Sequence, residues 1–122
     1  MDQVETAPER DAPHSIAPKL ACALAARLAA GASGIVVEDI AANSRKSART
    51  ASARQIGMYL AHTVFGLSLK SVGEHFSRDR TTAAHACRLV EERRDDRLFD
   101  EELAELEDLL LSLSQAIAGD AR

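Results

Sequence analysis

Residues 52–92 read SARQIGMYLAHTVFGLSLKSVGEHFSRDRTTAAHACRLVEE, and the punctuation of this run decides the fold. Ile56, Tyr59, Leu60 and Val64 fall at i, i+3, i+4 and i+8, one apolar face of a helix beginning at Ala53. Gly66 stops that helix, and Ser68 is placed to cap a short second one whose apolar residues are Leu69, Val72 and Phe76. Ser77-Arg78-Asp79 breaks the pattern again. Asp79 is a suitable N-cap for a third helix from Arg80 to about Arg94, with Ala83, Ala86, Val90 and either Cys87 or Leu89 facing inward. Helix, tight turn, short helix, short turn, helix is the geometry of a helix-turn-helix, whose last helix lies in the major groove of DNA.

Outward from this run the chain stays helical. Residues 1–14 are polar, hold two of the three prolines and show no periodicity, so they are expected to form a disordered tail. Ser15 is placed to cap a helix with Pro18 in its first turn, an apolar stripe of Ile16, Leu20, Leu24 and Leu28, and a stop at Gly31 or Gly34. A short helix is expected over Val37–Ala42, and the polar, basic residues 44–52 (SRKSARTAS) read as a loop. A last helix, about 100–118, carries leucines at 103, 106, 110 and 113 and then Ile117. No stretch alternates as a strand would. The expected fold class is all-α: a bundle of about five to six helices, with 15–118 forming one domain and the helix-turn-helix at about 54–94.

Composition narrows the function. The chain has 122 residues, 46% hydrophobic and 28% charged, the make-up of a water-soluble domain. Its 23 alanines favour helix, since alanine loses no side-chain entropy on folding. No G-x-x-x-x-G-K-[ST] phosphate cradle is present, and Cys22 and Cys87 lie too far apart for a zinc finger. There is no apolar run long enough for a membrane span and no secretory leader, so the expected place is the cytoplasm, on the nucleoid. His85 and Cys87 point about 200° apart on a helix, which argues against a shared metal. The expectation is a protein that is not an enzyme and needs no cofactor.

The formal charge of −4 conceals a strong segregation. Residues 1–42 carry 3 basic and 6 acidic side chains, 43–94 carry 10 and 4, and 95–122 carry 2 and 9. A basic middle between acidic ends suits a polyanion, although an unevenly charged solvated surface has the same composition. Within the middle, Asp79, Arg80, Thr81 and Thr82 stand at the front of the last helix of the motif, the end that reaches base edges. An arginine can pair with guanine O6 and N7, and a threonine methyl can touch a thymine methyl. An ordinary helical bundle with a capped surface helix remains the alternative.

Beyond these patterns, residues 52–92 resemble the C-terminal DNA-binding domain of the bacterial chromosomal replication initiator DnaA. The resemblance rests on Arg54-Gln55-Ile56, Met58-Tyr59-Leu60-Ala61, Gly66-Leu67-Ser68-Leu69, Arg78-Asp79, Thr81-Thr82 and His85-Ala86-Cys87-Arg88. It implies double-stranded DNA as partner, at sites like the DnaA box. By the resemblance, the basic stretch with Arg45, Lys46 and Arg49 would supply an arginine to the minor groove, and Arg54-Gln55 would approach DNA. His62 stands where the family has a basic residue at the backbone, and Leu69-Lys70 replaces Leu-Pro at the start of the short helix. Asp79, Arg80, Thr81, Thr82 and His85 take the base-reading positions, with Arg78 and Arg88 beside them. Two departures stand out: the turn after Phe76 is one glycine shorter, and Arg80 replaces a histidine.

A full initiator carries an ATPase module, for which this sequence has no P-loop. The expectation is therefore a stand-alone DnaA-related protein that modulates replication initiation, or transcription at DnaA-box-like sites. The other reading is a protein-interaction regulator binding the initiator or its regulators. Three uses are open to the acidic final helix: packing on the chain's own core, a homodimer seam through residues 100–118, or docking of such a partner. Its charge would repel DNA, so it is expected on the face opposite the groove-reading helix.

Overall fold

The central helix of the protein is buried on almost every side, and the other helices are arranged around it. In the computed structural model, which describes residues 16–40, 42 and 47–120, the elements are α1 (Pro18–Ser33), a 3-10 turn (Val37–Asp39), α2 (Ala48–Phe65), α3 (Leu69–His75), α4 (Arg80–Arg93) and α5 (Arg97–Asp120). Among the described residues there is no strand, so the all-α expectation holds. Helix α2 is the hub: Ala53, Ile56, Gly57, Met58, Tyr59, Leu60, Ala61 and Phe65 are all buried, and α1, α3, α4 and α5 each pack on it.

The boundaries differ from the sequence expectation where capping chemistry outweighs apolar periodicity. Helix α2 starts at Ala48 rather than Ala53, because the Ser47 hydroxyl accepts the Thr50 N–H at 3.1 Å and caps the first turn. The segment that reads as a loop is therefore partly helical, with Arg49 in its first turn. Helix α1 starts at Pro18 behind Ala17, with no side-chain cap, and Ser15 lies outside the described residues. The short helix expected over Val37–Ala42 contracts to one 3-10 turn. Helix α5 is longer than expected at both ends.

The apolar stripe of α1 is also displaced by one residue. Ala21, Cys22, Ala25, Ala29 and Ala30 are buried, whereas Leu20 is 40% exposed and Leu24 and Leu28 pack only at the margin. Small side chains on this face let α1 approach the α2 backbone closely, and helix separation follows the size of the residues at the contact. The larger leucines are left to border the interface.

Two turns set the motif. Gly66, at φ +69°, ends α2 in a left-handed conformation, and the Ser68 hydroxyl accepts the Ser71 N–H to start α3. At the other end of α3 the Arg78 N–H reaches the Gly73 carbonyl (2.8 Å) and the Ser77 N–H the Glu74 carbonyl (3.3 Å). This is a Schellman closure, and Ser77 holds its left-handed position at φ +59° where glycine is usual. The closure brings backbone against Gly73: a Cβ there would stand 2.7 Å from the Arg78 carbonyl oxygen. A glycine at 73 thus fixes how tightly α3 turns into α4.

Helix α5 packs on α1 and α2. Its buried residues are Leu103, Leu110 and Ser114, while Leu113, part of the expected leucine series, is 36% exposed. A straight helix repeats at 3.6 residues, so the contact line drifts from the 3-4-3-4 leucine pattern onto Ser114.

Candidate nucleic-acid interface

The front of α4 is built by its cap. The Asp79 carboxylate accepts the Thr82 N–H at 2.7 Å. That backbone hydrogen bond, followed by one from the Thr82 hydroxyl, holds the Asp79 carboxyl below the usual carboxylate range, so it is ionised near neutrality. Arg80, Thr81 and Thr82 follow, all exposed, with Ala83 buried behind them. Thr81, His85 and Arg88 stand at i, i+4 and i+7 on one exposed face, where an Arg88 Nη lies 2.8 Å from His85 Nδ1.

A cleft of about 360 Å³ runs beside this face, between α2 and α4. Its walls bring together five of the residues singled out from the sequence: Arg54, Gln55, Arg78, Thr82 and His85. Ala51, Met58 and Ala86 also line it and were not among the candidates. They have no polar chemistry to draw the eye, but Ala51, Gln55 and Met58 share a helical face at i, i+4 and i+7, a signal the sequence did contain. No residue of α5 lines the cleft.

The cations near the cleft are not equivalent. Arg54 is only 5% exposed; its guanidinium donates to the Ile40 carbonyl and, at 3.3 Å, to the Asp39 carbonyl. Arg78 donates to Phe76 and Ser77 carbonyls of its own turn and to the Ala42 carbonyl at 3.0 Å. Arg54 therefore ties Asp39 and Ile40, and Arg78 ties Ala42, to the helix-turn-helix. Arg49 is exposed at the start of α2. Arg45 and Lys46 lie outside the described residues.

Three further candidates, His62, Leu69 and Lys70, stand apart from both the cleft lining and the front of α4. His62 continues the Ala51, Gln55, Met58 face toward the far end of α2, and its Nδ1 lies 2.7 Å from the Leu67 carbonyl oxygen in the α2–α3 turn. The nitrogen facing a carbonyl must donate, so the neutral ring presents Nε2 as an acceptor, and only the protonated ring offers a phosphate a donor there. Leu69 packs against the core at the start of α3. Lys70 is exposed and lies 3.7 Å from Glu74.

Elsewhere, Cys22 is buried, and burial pushes the Cys87 thiol up to about 11, with Glu91 adding to the effect. Among the described residues no group of three His, Cys, Asp or Glu is arranged to hold a metal ion, and no helix is long and apolar enough to cross a membrane.

Comparison with known proteins identifies the family. The chain is similar to the chromosomal replication initiator protein DnaA of Pseudothermotoga lettingae, with 42% identity over 59 residues, 48% of this chain and 13% of that protein. It is 45% identical over 67 residues to the DnaA of Aquifex aeolicus, covering 53% of this chain and 16% of that one. The chain thus spans about a seventh of the length of these relatives. A crystal structure of a DNA replication initiation factor superposes with a TM-score of 0.68 and 30% identity, over 90% of this chain and 31% of the other. The pattern of the bacterial dnaA protein helix-turn-helix family matches residues 10–90, which leaves α5 outside it, and on that match the chain belongs to the bacterial DnaA helix-turn-helix family.

Proposed function

We propose that this chain is a sequence-specific double-stranded DNA-binding protein that modulates initiation of chromosomal replication, or transcription at DnaA-box-like sites, with residues 15–118 acting as one unit. The observation that carries the reading is the exposed first turn of α4, where Arg80, Thr81 and Thr82 project beside a cleft lined by Arg54, Gln55, Arg78 and His85. Its DnaA relatives are named as replication initiators, which supports the same context here. Thr81, Thr82 and His85 would meet base edges. Arg49, Arg88 and Lys70, with Arg45 and Lys46 from the preceding segment, would meet phosphates. Fluorescence anisotropy with a DnaA-box duplex and a scrambled duplex, over a range of salt, tests this. Affinity should fall steeply with salt, log K dropping by about 0.9 per decade of salt for each phosphate contacted. Thr81→Ala should weaken the specific duplex more than the scrambled one. Equal, salt-insensitive or absent binding to both duplexes refutes the reading.

A second reading, a regulator that binds the initiator, its regulators or a second copy, is favoured by one observation on α5. Leu109 stays exposed on a groove that Glu102 and Glu105 also line and that α1, α2 and α4 share, and Leu113, one turn further along α5, is exposed as well. Because Leu103 and Leu110 of the same helix are core residues, removing α5 would strip part of the core, so the test is Leu109→Ser with Leu113→Ser. Loss of a self-association seen by light scattering, or of initiator capture, with DNA binding intact would support it.

A further inference from the structure

The positive side chains at the front of the motif differ in how much of their hydrogen-bonding capacity the protein itself consumes. Arg54 and Arg78 spend theirs on backbone carbonyls. Arg88 is engaged with His85, and Lys70 lies against Glu74. Arg49 and Arg80 are exposed, and the side chain of neither makes a hydrogen bond or ion pair with any described residue; of the two, only Arg80 stands at the front of α4. The adjacent carboxylate that would most readily take it, Asp79, is held by the Thr82 N–H and hydroxyl instead. Arg80 therefore stands at the first residue of α4 with its five-donor fork unspent on any described residue.

That fork has a specific match. Two parallel N–H groups of a guanidinium fit two acceptors lying side by side in one plane. In the major groove only guanine offers such a pair, O6 and N7; adenine sets its N6 amino donor beside N7, so the same arginine would face donor with donor. We propose that Arg80 is the specificity-determining residue of this interface and selects a guanine in duplex DNA, whereas Arg54 and Arg78 are positioning residues that hold Asp39, Ile40 and Ala42 against the motif. The inference rests on the DNA-binding reading above and adds to it the identity of one base.

The experiment uses the full chain and its Arg80→Ala and Arg78→Ala variants. Duplexes are selected from a random library with the parent. The recovered duplex and versions carrying single guanine-to-adenine changes are then titrated at several salt concentrations. Since Arg80 is exposed and its side chain bonds to no described residue, its removal should leave the fold intact, which circular dichroism checks. For the parent, one guanine should matter by about 10-fold or more. Arg80→Ala should abolish that preference while keeping the salt slope, and Arg78→Ala should weaken all duplexes with the preference retained. If Arg80→Ala weakens every duplex alike and lowers the salt slope by about one, Arg80 contacts a phosphate and the inference is overturned, although DNA binding stands. A recovered site without a sensitive guanine overturns it too. A parent that binds no duplex removes the DNA-binding reading as well.

Discussion

Arg94, at the C-terminal cap of α4, grips Glu107 of α5 with two nitrogens, Nη1 and Nη2, at 3.0 and 3.3 Å from its two carboxylate oxygens. The same guanidinium also donates to Asp100 and, at 2.9 Å, to the hydroxyl of Tyr59 on α2, which in turn donates to Glu91 at 2.7 Å. These hydrogen bonds lift Arg94 further above its already high ordinary value, the Glu107 bond contributing most. One side chain thereby joins α5 to both the central helix and the last helix of the motif. Two acidic residues of α5, Asp100 and Glu107, are thus satisfied internally.

If this junction fixes α5, breaking it should cost more than breaking a surface pair. Arg94→Ala removes charge-assisted hydrogen bonds from a side chain that is mostly buried and leaves Glu107 without its partner. A loss of about 2–3 kcal/mol is expected in urea unfolding. Arg97→Ala breaks only an exposed pair with Glu101, 3.9 Å apart, and should change stability by no more than about 0.5 kcal/mol. Comparable losses for the two variants would show that α5 is held by its leucines alone.

Tyr59 is the chain's single tyrosine, and there is no tryptophan, so its phenol can be titrated by absorbance without interference. Burial, and next the hydrogen bond to Glu91, push it up to about 12 from an ordinary value of 10, against the opposing pull of Arg94. The folded state thus holds the phenolic proton more tightly than the unfolded chain. That contribution to stability is complete below pH 10 and disappears as pH rises toward 12. The folded chain should show a phenolate transition well above that of the chain in urea. Coincident transitions would mean that the ring is not enclosed as described.

The sequence carried the motif better than its surroundings. Gly66, Ser68 and Asp79 are local punctuation, each acting on backbone within three residues, and each does in the structure what its chemistry implies. The Ser47 cap is equally local but sits inside a polar, basic run with no apolar periodicity to mark a helix. In α1 apolar periodicity points to the leucines rather than to the buried alanine face, because it weights large side chains, whereas a close helix contact selects small ones. Arg54 shows the limit at the site: its charge is legible, but its commitment to the Asp39 and Ile40 carbonyls depends on a chain reversal that no local pattern encodes. The Arg94–Glu107 pair, 13 residues apart across a helix turn, is illegible for the same reason.

Cys87 should react slowly with alkylating reagents. With its thiol raised to about 11 from 9, roughly a hundredth of the usual thiolate is present at pH 8, while the higher intrinsic nucleophilicity of a more basic thiolate recovers about tenfold. The balance is about a 10-fold slower reaction with iodoacetamide than in urea, followed on the Cys87 peptide by mass spectrometry. A native rate equal to the unfolded one would place this face of α4 in solvent rather than against the core.

The turn between α3 and α4 offers two substitutions of opposite sign. Ser77 holds a left-handed conformation that a side chain disfavours, so Ser77→Gly should relieve strain and stabilise by about 1 kcal/mol. Gly73→Ala places a Cβ 2.7 Å from the Arg78 carbonyl oxygen and 3.0 Å from that of Asp79, both backbone atoms with little room to yield. A loss of about 1–3 kcal/mol is expected. Displacing that backbone also moves the Asp79 cap and hence Arg80, Thr81 and Thr82. Duplex affinity of Gly73→Ala should therefore fall under conditions where the variant is still fully folded, whereas Ser77→Gly keeps it. If Gly73→Ala binds duplex like the parent once its folded fraction is matched, the placement of the α4 front does not depend on the tightness of this turn.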